Sequence, residues 1–68
     1  MELRDYGTNL CLYVTDNEVV QRLTRWGGFL YSVPYYKNGV VIAQDLHFEY
    51  KVKKQLLKFL NDRQPVLL

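Results

Sequence analysis

Apolar and polar residues alternate along this chain with two different periods, and the switches between them mark out the elements. Asn9-Leu-Cys-Leu-Tyr-Val14 repeats every second residue, with Leu10, Leu12 and Val14 on one side and Cys11 and Tyr13 on the other, as a half-buried strand does. Residues 1 to 8 read as a leader into it. The period then lengthens: Val19, Leu23 and Trp26, with Val20 at the margin, recur at helical spacing and predict a helix over 16–26 with one buried stripe. Thr15-Asp-Asn-Glu18 has the spacing of a capping box in front of it, and Gly27-Gly28 supplies a left-handed stop.

Two runs rich in β-branched and aromatic residues follow, 29–37 and 40–44, joined by Asn38-Gly39. That dipeptide is the strongest short-range hairpin signal, because both positions of a type I′ turn need positive φ. The turn predicts Lys37 opposite Val40, Tyr36 opposite Val41, Tyr35 opposite Ile42, Pro34 opposite Ala43 and Val33 opposite Gln44. Pro34 then directs its missing amide outward, which makes 29–37 an edge strand and 40–44 a central one. Residues 46–50 fit either strand alternation or the opening of a helix capped by Asp45. From Tyr50 to Asn61 the spacing of Val52, Leu56, Phe59 and Leu60 predicts helix. Pro65 ends regular structure, and Val66-Leu67-Leu68 is an apolar tail. The expected fold is α+β, one small domain over 1–68 in β-α-β-β-α order. Its antiparallel three-stranded sheet has order 1-3-2, with two helices packed on one face.

That register turns Tyr31, Val33, Tyr35, Val40 and Ile42 toward the helices. Leu30, Pro34, Tyr36, Val41 and Ala43 fall on the other face with Cys11 and Tyr13. A face so poor in charge is an expected interaction surface, with Tyr13, Pro34, Tyr36 and Val41 as its protein-interface residues. A segment such as 62–68 folding over it is the competing expectation.

Length and cysteine content sharpen this. A 68-residue chain is near the lower limit for a single core, since it buries only about 60% of its unfolded surface. One cysteine excludes an internal disulfide, and no clustered Cys/His set suggests a structural metal or any cofactor. Self-association remains, so a homodimer is expected. No apolar run approaches the ~20 residues of a membrane span, and Met1-Glu-Leu-Arg-Asp lacks the pattern of a secretory signal. With its unpaired cysteine the chain reads as cytoplasmic.

The net charge is only +2, but its distribution is uneven. Between Val19 and Gln44 there is no acid, only Arg22, Arg25 and Lys37, and residues 51–58 hold four lysines and no acid. Lys51, Lys54 and Lys58 share a helical stripe opposite the apolar one. With Arg22, Arg25 and Lys37 they are the candidate nucleic-acid-binding residues, since a lysine row can neutralise successive phosphates. The same row is what a solvated helix face looks like. His47 is the single histidine, with Asp45 and Glu49 nearby, and Cys11 would be a nucleophile only beside a histidine. Neither designates a catalytic residue by itself. The helix, hairpin, helix order, with Lys51, Lys53 and Lys54 at the start of the last helix, resembles double-stranded-RNA-binding domains and small ribonuclease toxins in topology. Their Gly-Pro-His loop and Lys-Lys-x-Ala-Lys run are absent. The sequence therefore reads first as a non-enzymatic binding module touching nucleic acid through its basic helix. The alternatives are a protein adaptor or inhibitor docking through the aromatic sheet face and, third, a small His-dependent nuclease.

Overall fold

The computed structural model describes residues 1–63. The strands are β1 Glu2–Asp5, β2 Asn9–Val14, β3 Phe29–Lys37 and β4 Val40–Glu49. Helix α1 is Asn17–Leu23, and a 3-10 turn Tyr50–Val52 leads into α2, Lys53–Arg63. The sheet is antiparallel in the order β1-β2-β4-β3. This corrects the three-stranded expectation. Residues 2–5 form a strand because Leu3, opposite Leu12, packs against the core, while Glu2, Arg4 and Asp5 stay exposed. An edge strand with one inward apolar side chain is too short to show a period. The tail expectation for Pro65 and Val66-Leu67-Leu68 lies outside the described residues.

At the hairpin, Asn38 and Gly39 take φ of 53° and 77°, as a type I′ turn requires. Lys37 pairs with Val40 and Tyr36 with Val41. The ladder then slips, for Tyr35 pairs with Ala43 and leaves Ile42 as an extra residue. From there Pro34 faces Gln44 and Val33 faces Asp45, so the predicted register fails after two pairs. A second irregularity leaves Leu30 unpaired between Phe29, opposite Phe48, and Tyr31, opposite His47. Each bulge shifts the parity of side-chain alternation by one. Tyr31, Val33 and Tyr35 therefore point away from the helices, and Phe29 points toward them.

Both helices lie on the sheet face that carries Leu10, Leu12, Val14, Leu46 and Phe48, all fully buried. Val19, Val20 and Leu23 of α1 and Val52 and Leu56 at the start of the last helical segment close this core. Trp26 bridges it to α2, with its ring edge-on to Phe48 at 6.3 Å and to Phe59 at 5.7 Å. Full burial of Phe48 contributes on the order of 2–3 kcal/mol of transfer free energy. Residues 46–49 are strand, since Leu46 and Phe48 are needed in the core while Asp45 and His47 take the other face.

Two local expectations change. Asp16, rather than Thr15, caps α1 by accepting from the Glu18 amide at 2.9 Å. The helix stops at Leu23, and tight turns carry the chain through Trp26 to Gly28. Gly28 holds φ of +100° while its carbonyl accepts from the Glu49 amide at 2.8 Å. At the other end the Asp5 carboxylate ties β1 to α2, accepting from Lys53 Nζ at 2.8 Å, from Tyr50 Oη at 3.0 Å and, on its second oxygen, from the Gly7 amide at 2.8 Å. The Lys53 ammonium and then the Gly7 amide hold the Asp5 carboxyl below its usual range.

A Cβ on Gly28 would sit 2.6 Å from Val52 Cγ1, whereas one on Gly27 would meet nothing within 4 Å. Gly28→Ala is expected to cost about 2–4 kcal/mol in urea denaturation, combining left-handed strain with overpacking. Gly27→Ala stays within about 0.5 kcal/mol of the parent. Equal midpoints for the two variants would contradict the packing described.

Candidate interaction surface

The sheet face turned away from the helices is organised in cross-strand rows. Arg4, Cys11, His47 and Tyr31 lie in one row, and Glu2, Tyr13, Asp45 and Val33 in the next, with Ala43 opposite Tyr35 beyond them. Cys11 and Ala43 are each only 3% exposed although no helix covers them, because larger side chains of the same face close over these small ones. The Tyr31 ring stacks on His47, with centroids 4.3 Å apart and planes 12° from parallel. Tyr13 meets Tyr35 edge-on at 5.7 Å, a contact worth about 0.5–1.5 kcal/mol beyond its area. The Tyr35 hydroxyl donates to Asp45 Oδ2 at 2.5 Å. That bond, with burial second, raises the Tyr35 phenol above its ordinary value.

Cys11 Sγ lies 3.8 Å from His47 Nε2, so the structure supplies the thiol–imidazole pair that the sequence left open. Its electrostatics disfavour a thiolate. Burial pushes the Cys11 thiol up, and the Asp45 charge pushes it further, whereas a nucleophilic cysteine needs the opposite shift. Among the described residues neither nitrogen of His47 bonds a carboxylate: Nδ1 is buried without a hydrogen-bond partner there, as is Asp45 Oδ1. Glu49 is engaged by Lys51 at 3.1 Å. Among the described residues no group of three His, Cys, Asp or Glu could hold a metal, and no helix is long and apolar enough to cross a membrane.

Beyond this face the hairpin becomes an arm. β2 pairs with residues 44–49 of β4, so, among the described residues, 40–43 have β3 as their sole neighbour in the sheet. Tyr36 and Val40, near the tip, are 65% and 63% exposed. Among the described residues, eight of the twelve large apolar side chains that stand exposed lie between Leu30 and Ile42. An isolated two-stranded ribbon is marginally stable in water, so the arm gains from anything that packs on it.

The expected site residues are distributed over several surfaces. Tyr13 is on the open face, whereas Pro34, Tyr36 and Val41 are on the other side of the hairpin, flush with the helix layer. Lys37 is at the arm tip. Arg22 lies on α1 and Arg25 in the turn after it, both exposed. Lys54 and Lys58 are exposed on α2, while Lys51 is paired with Glu49. A shallow groove of about 440 Å³ between the α1–β3 turn and α2 is lined by Trp26, Gly27, Gln55, Lys58, Phe59 and Asp62. The sequence reading missed Tyr31, Val33, Tyr35, Asp45 and His47 as members of one surface. The signal was the alternation of polar Asp45 and His47 with Leu46 and Phe48, which places 45 and 47 outward. What faces them on β3 depended on a bulge with no sequence mark.

The surface defined in this way belongs to an open-faced α+β domain with a polar-centred aromatic sheet and a projecting ribbon. No protein-family model, curated protein or solved structure matches the chain.

The buried thiol has a measurable consequence. In the native protein Cys11 is expected to react with a disulfide reagent at pH 8 at least ~100-fold more slowly than in denaturant, because reaction awaits opening of the ring cover. A native rate close to that of the unfolded chain would show that Cys11 is not enclosed.

Proposed function

We propose that this chain is a non-enzymatic binding module whose contact surface is the open face of the sheet and the arm that continues it. The observation that carries this reading is the concentration of exposed apolar side chains on one hairpin, while the helix layer seals the core. Contiguous apolar surface on a small domain marks an interaction site, and tyrosines are favoured at such sites because their rings bury large areas with few rotatable bonds. The burial and raised pKa of Cys11 and the lack of a carboxylate on His47 weigh against assigning chemistry to the same face.

A site-specific photo-crosslinking experiment tests the reading. With the crosslinking residue at Val33 or Tyr36, cells expressing the chain are expected to yield a discrete covalent adduct. With it at Gln21, exposed on α1, they are not. Adducts from Gln21 alone, or none from either Val33 or Tyr36, would overturn it.

Nucleic acid binding is a second reading, favoured by one specific observation. Arg22, Arg25, Lys54 and Lys58 are exposed on the helix layer, where the chain from Val19 to Gln44 carries no acid. The basic side chains lie across the sheet from the open-face aromatics, so phosphate neutralisation and base stacking on Tyr31 or Tyr35 would have to use different sides of the molecule. If this reading holds, the anisotropy of a labelled oligonucleotide shows binding whose logarithm falls with the logarithm of salt. Lys54→Ala with Lys58→Ala then reduces that slope by about 1–2. Absence of binding at 20 mM salt, chosen as roughly a tenth of physiological ionic strength, removes it.

A further inference from the structure

We infer that the partner on the open face is a second copy of this chain, seated face to face about a two-fold axis parallel to the strands. The inference rests on the binding-module reading and adds the identity and geometry of the partner.

Size is the first support. Strands of 4, 6, 9 and 10 residues, about 4.8 Å apart and rising about 3.3 Å per residue, span an area on the order of 450 Å². That is more than half of the roughly 800 Å² each partner contributes to a standard interface, before the relief of the side chains is added. A second sheet packed about 10 Å away turns the open face into the inner layer of a sandwich.

Charge is the second. The open face holds Glu2 and Arg4 on β1, Asp45 and Glu49 on β4 and, by alternation, Lys37 at the end of β3; Glu49 is already paired with Lys51, which leaves two acids against two bases. A partner of one sign would meet its own charge twice, whereas a copy related by a two-fold meets none in excess.

The row order is the third. A two-fold parallel to the strands and centred between β2 and β4 exchanges the two edges of the sheet while keeping each row at its own height. The row Arg4, Cys11, His47, Tyr31 then lies over itself in reverse. Arg4 of one copy covers Tyr31 of the other, as a guanidinium over a ring, and the contact occurs twice, as an isologous interface requires. Tyr31, at 54% exposure, is available for it. The short charged edge complements the aromatic edge, and the small Cys11 sits over the His47 column.

Pro34 argues for the face rather than the edge. It lies mid-strand in β3, which has a neighbour on one side only. A copy pairing along that edge would lose a ladder hydrogen bond at the proline.

Sedimentation equilibrium of the purified full chain from about 1 µM to 1 mM, a range that brackets dissociation constants typical of transient interfaces, tests the inference. The parent is expected to approach twice the mass of one chain, and Val33→Glu, whose carboxylate the two-fold sets against Glu2 of the other copy, to raise the dissociation constant at least ~100-fold while retaining the parent circular dichroism. Leu57→Lys, at an exposed apolar position on α2, dimerises as the parent does. A parent that remains a single chain at the highest concentration overturns the inference, as does a folded Val33→Glu that dimerises normally. If Val33→Glu fails to fold, Arg4→Ala decides instead: about tenfold weaker association supports the row geometry, and unchanged association overturns it. A monomeric parent that still forms a crosslinked adduct of another mass in cells defeats the second copy alone. Loss of every arm adduct defeats the underlying reading.

Discussion

Ile42 has no partner across the β3-β4 ladder, and the arrangement of this molecule follows from that one extra residue. Side chains on a strand alternate between faces with period two, so an insertion in one strand reverses which faces of the two strands coincide. Without it, Tyr31, Val33 and Tyr35 would share a side with Leu46 and Phe48 and compete with the helices for the same space. With it, three side chains of β3 move to the open face beside Asp45 and His47. The second irregularity, at Leu30, restores the original parity just in time for Phe29 to meet Phe48 edge-on at 5.7 Å. Tyr31, Val33 and Tyr35 are thereby turned outward between two points where the strand is tied to the core or the turn.

The rest of the fold holds β4 where this arrangement needs it. Its Leu46 and Phe48 are among the fully buried side chains, and its last amide is fixed by the Gly28 carbonyl. Gly28 sits so close to Val52 that only a glycine fits, which seats the 3-10 turn at the end of β4 against the loop leaving α1. From there the Asp5 carboxylate, bonded to Tyr50 and Lys53, closes β1 onto the opposite end of the same segment. Exposed ion pairs are worth little individually, but this carboxylate also accepts from a backbone amide and a phenol. It therefore fixes the position of a short edge strand that contributes only Leu3 to the core.

Much of this was legible in the residues, and the reasons for the misses are specific. Leu10, Leu12 and Val14 announced the inner face of β2, Val19 and Leu23 the buried stripe of α1, and Asn38-Gly39 the turn, because each depends on local chemistry or a single period. β1 was invisible because one apolar residue in four carries no periodicity. The ambiguity at 46–50 could not be resolved locally, since the alternation fits a strand while Asp45 also suits the cap of a helix continuous with the one that follows. The two bulges left no composition signal, and the assignment of faces beyond Tyr36 inherited the error. Consequently the surface expected from Tyr13, Pro34, Tyr36 and Val41 is divided between two sides of the hairpin. Asp45 and His47, read as possible partners in chemistry, instead sit beneath Tyr35 and Tyr31.

The two edges of the sheet complete the physical picture. One is β1, four residues long with three of them charged; the other is β3, interrupted by Pro34 at its middle. Short, charged and proline-bearing strands are the devices by which sheets avoid indiscriminate edge pairing. Protection of the ladders leaves side-chain surface as the available means of association. On this molecule that surface is the tyrosine-rich outside of the hairpin, built over small buried residues and balanced in charge. A domain that guards its edges while presenting such a face is better suited to a defined, side-chain-mediated contact than to strand exchange.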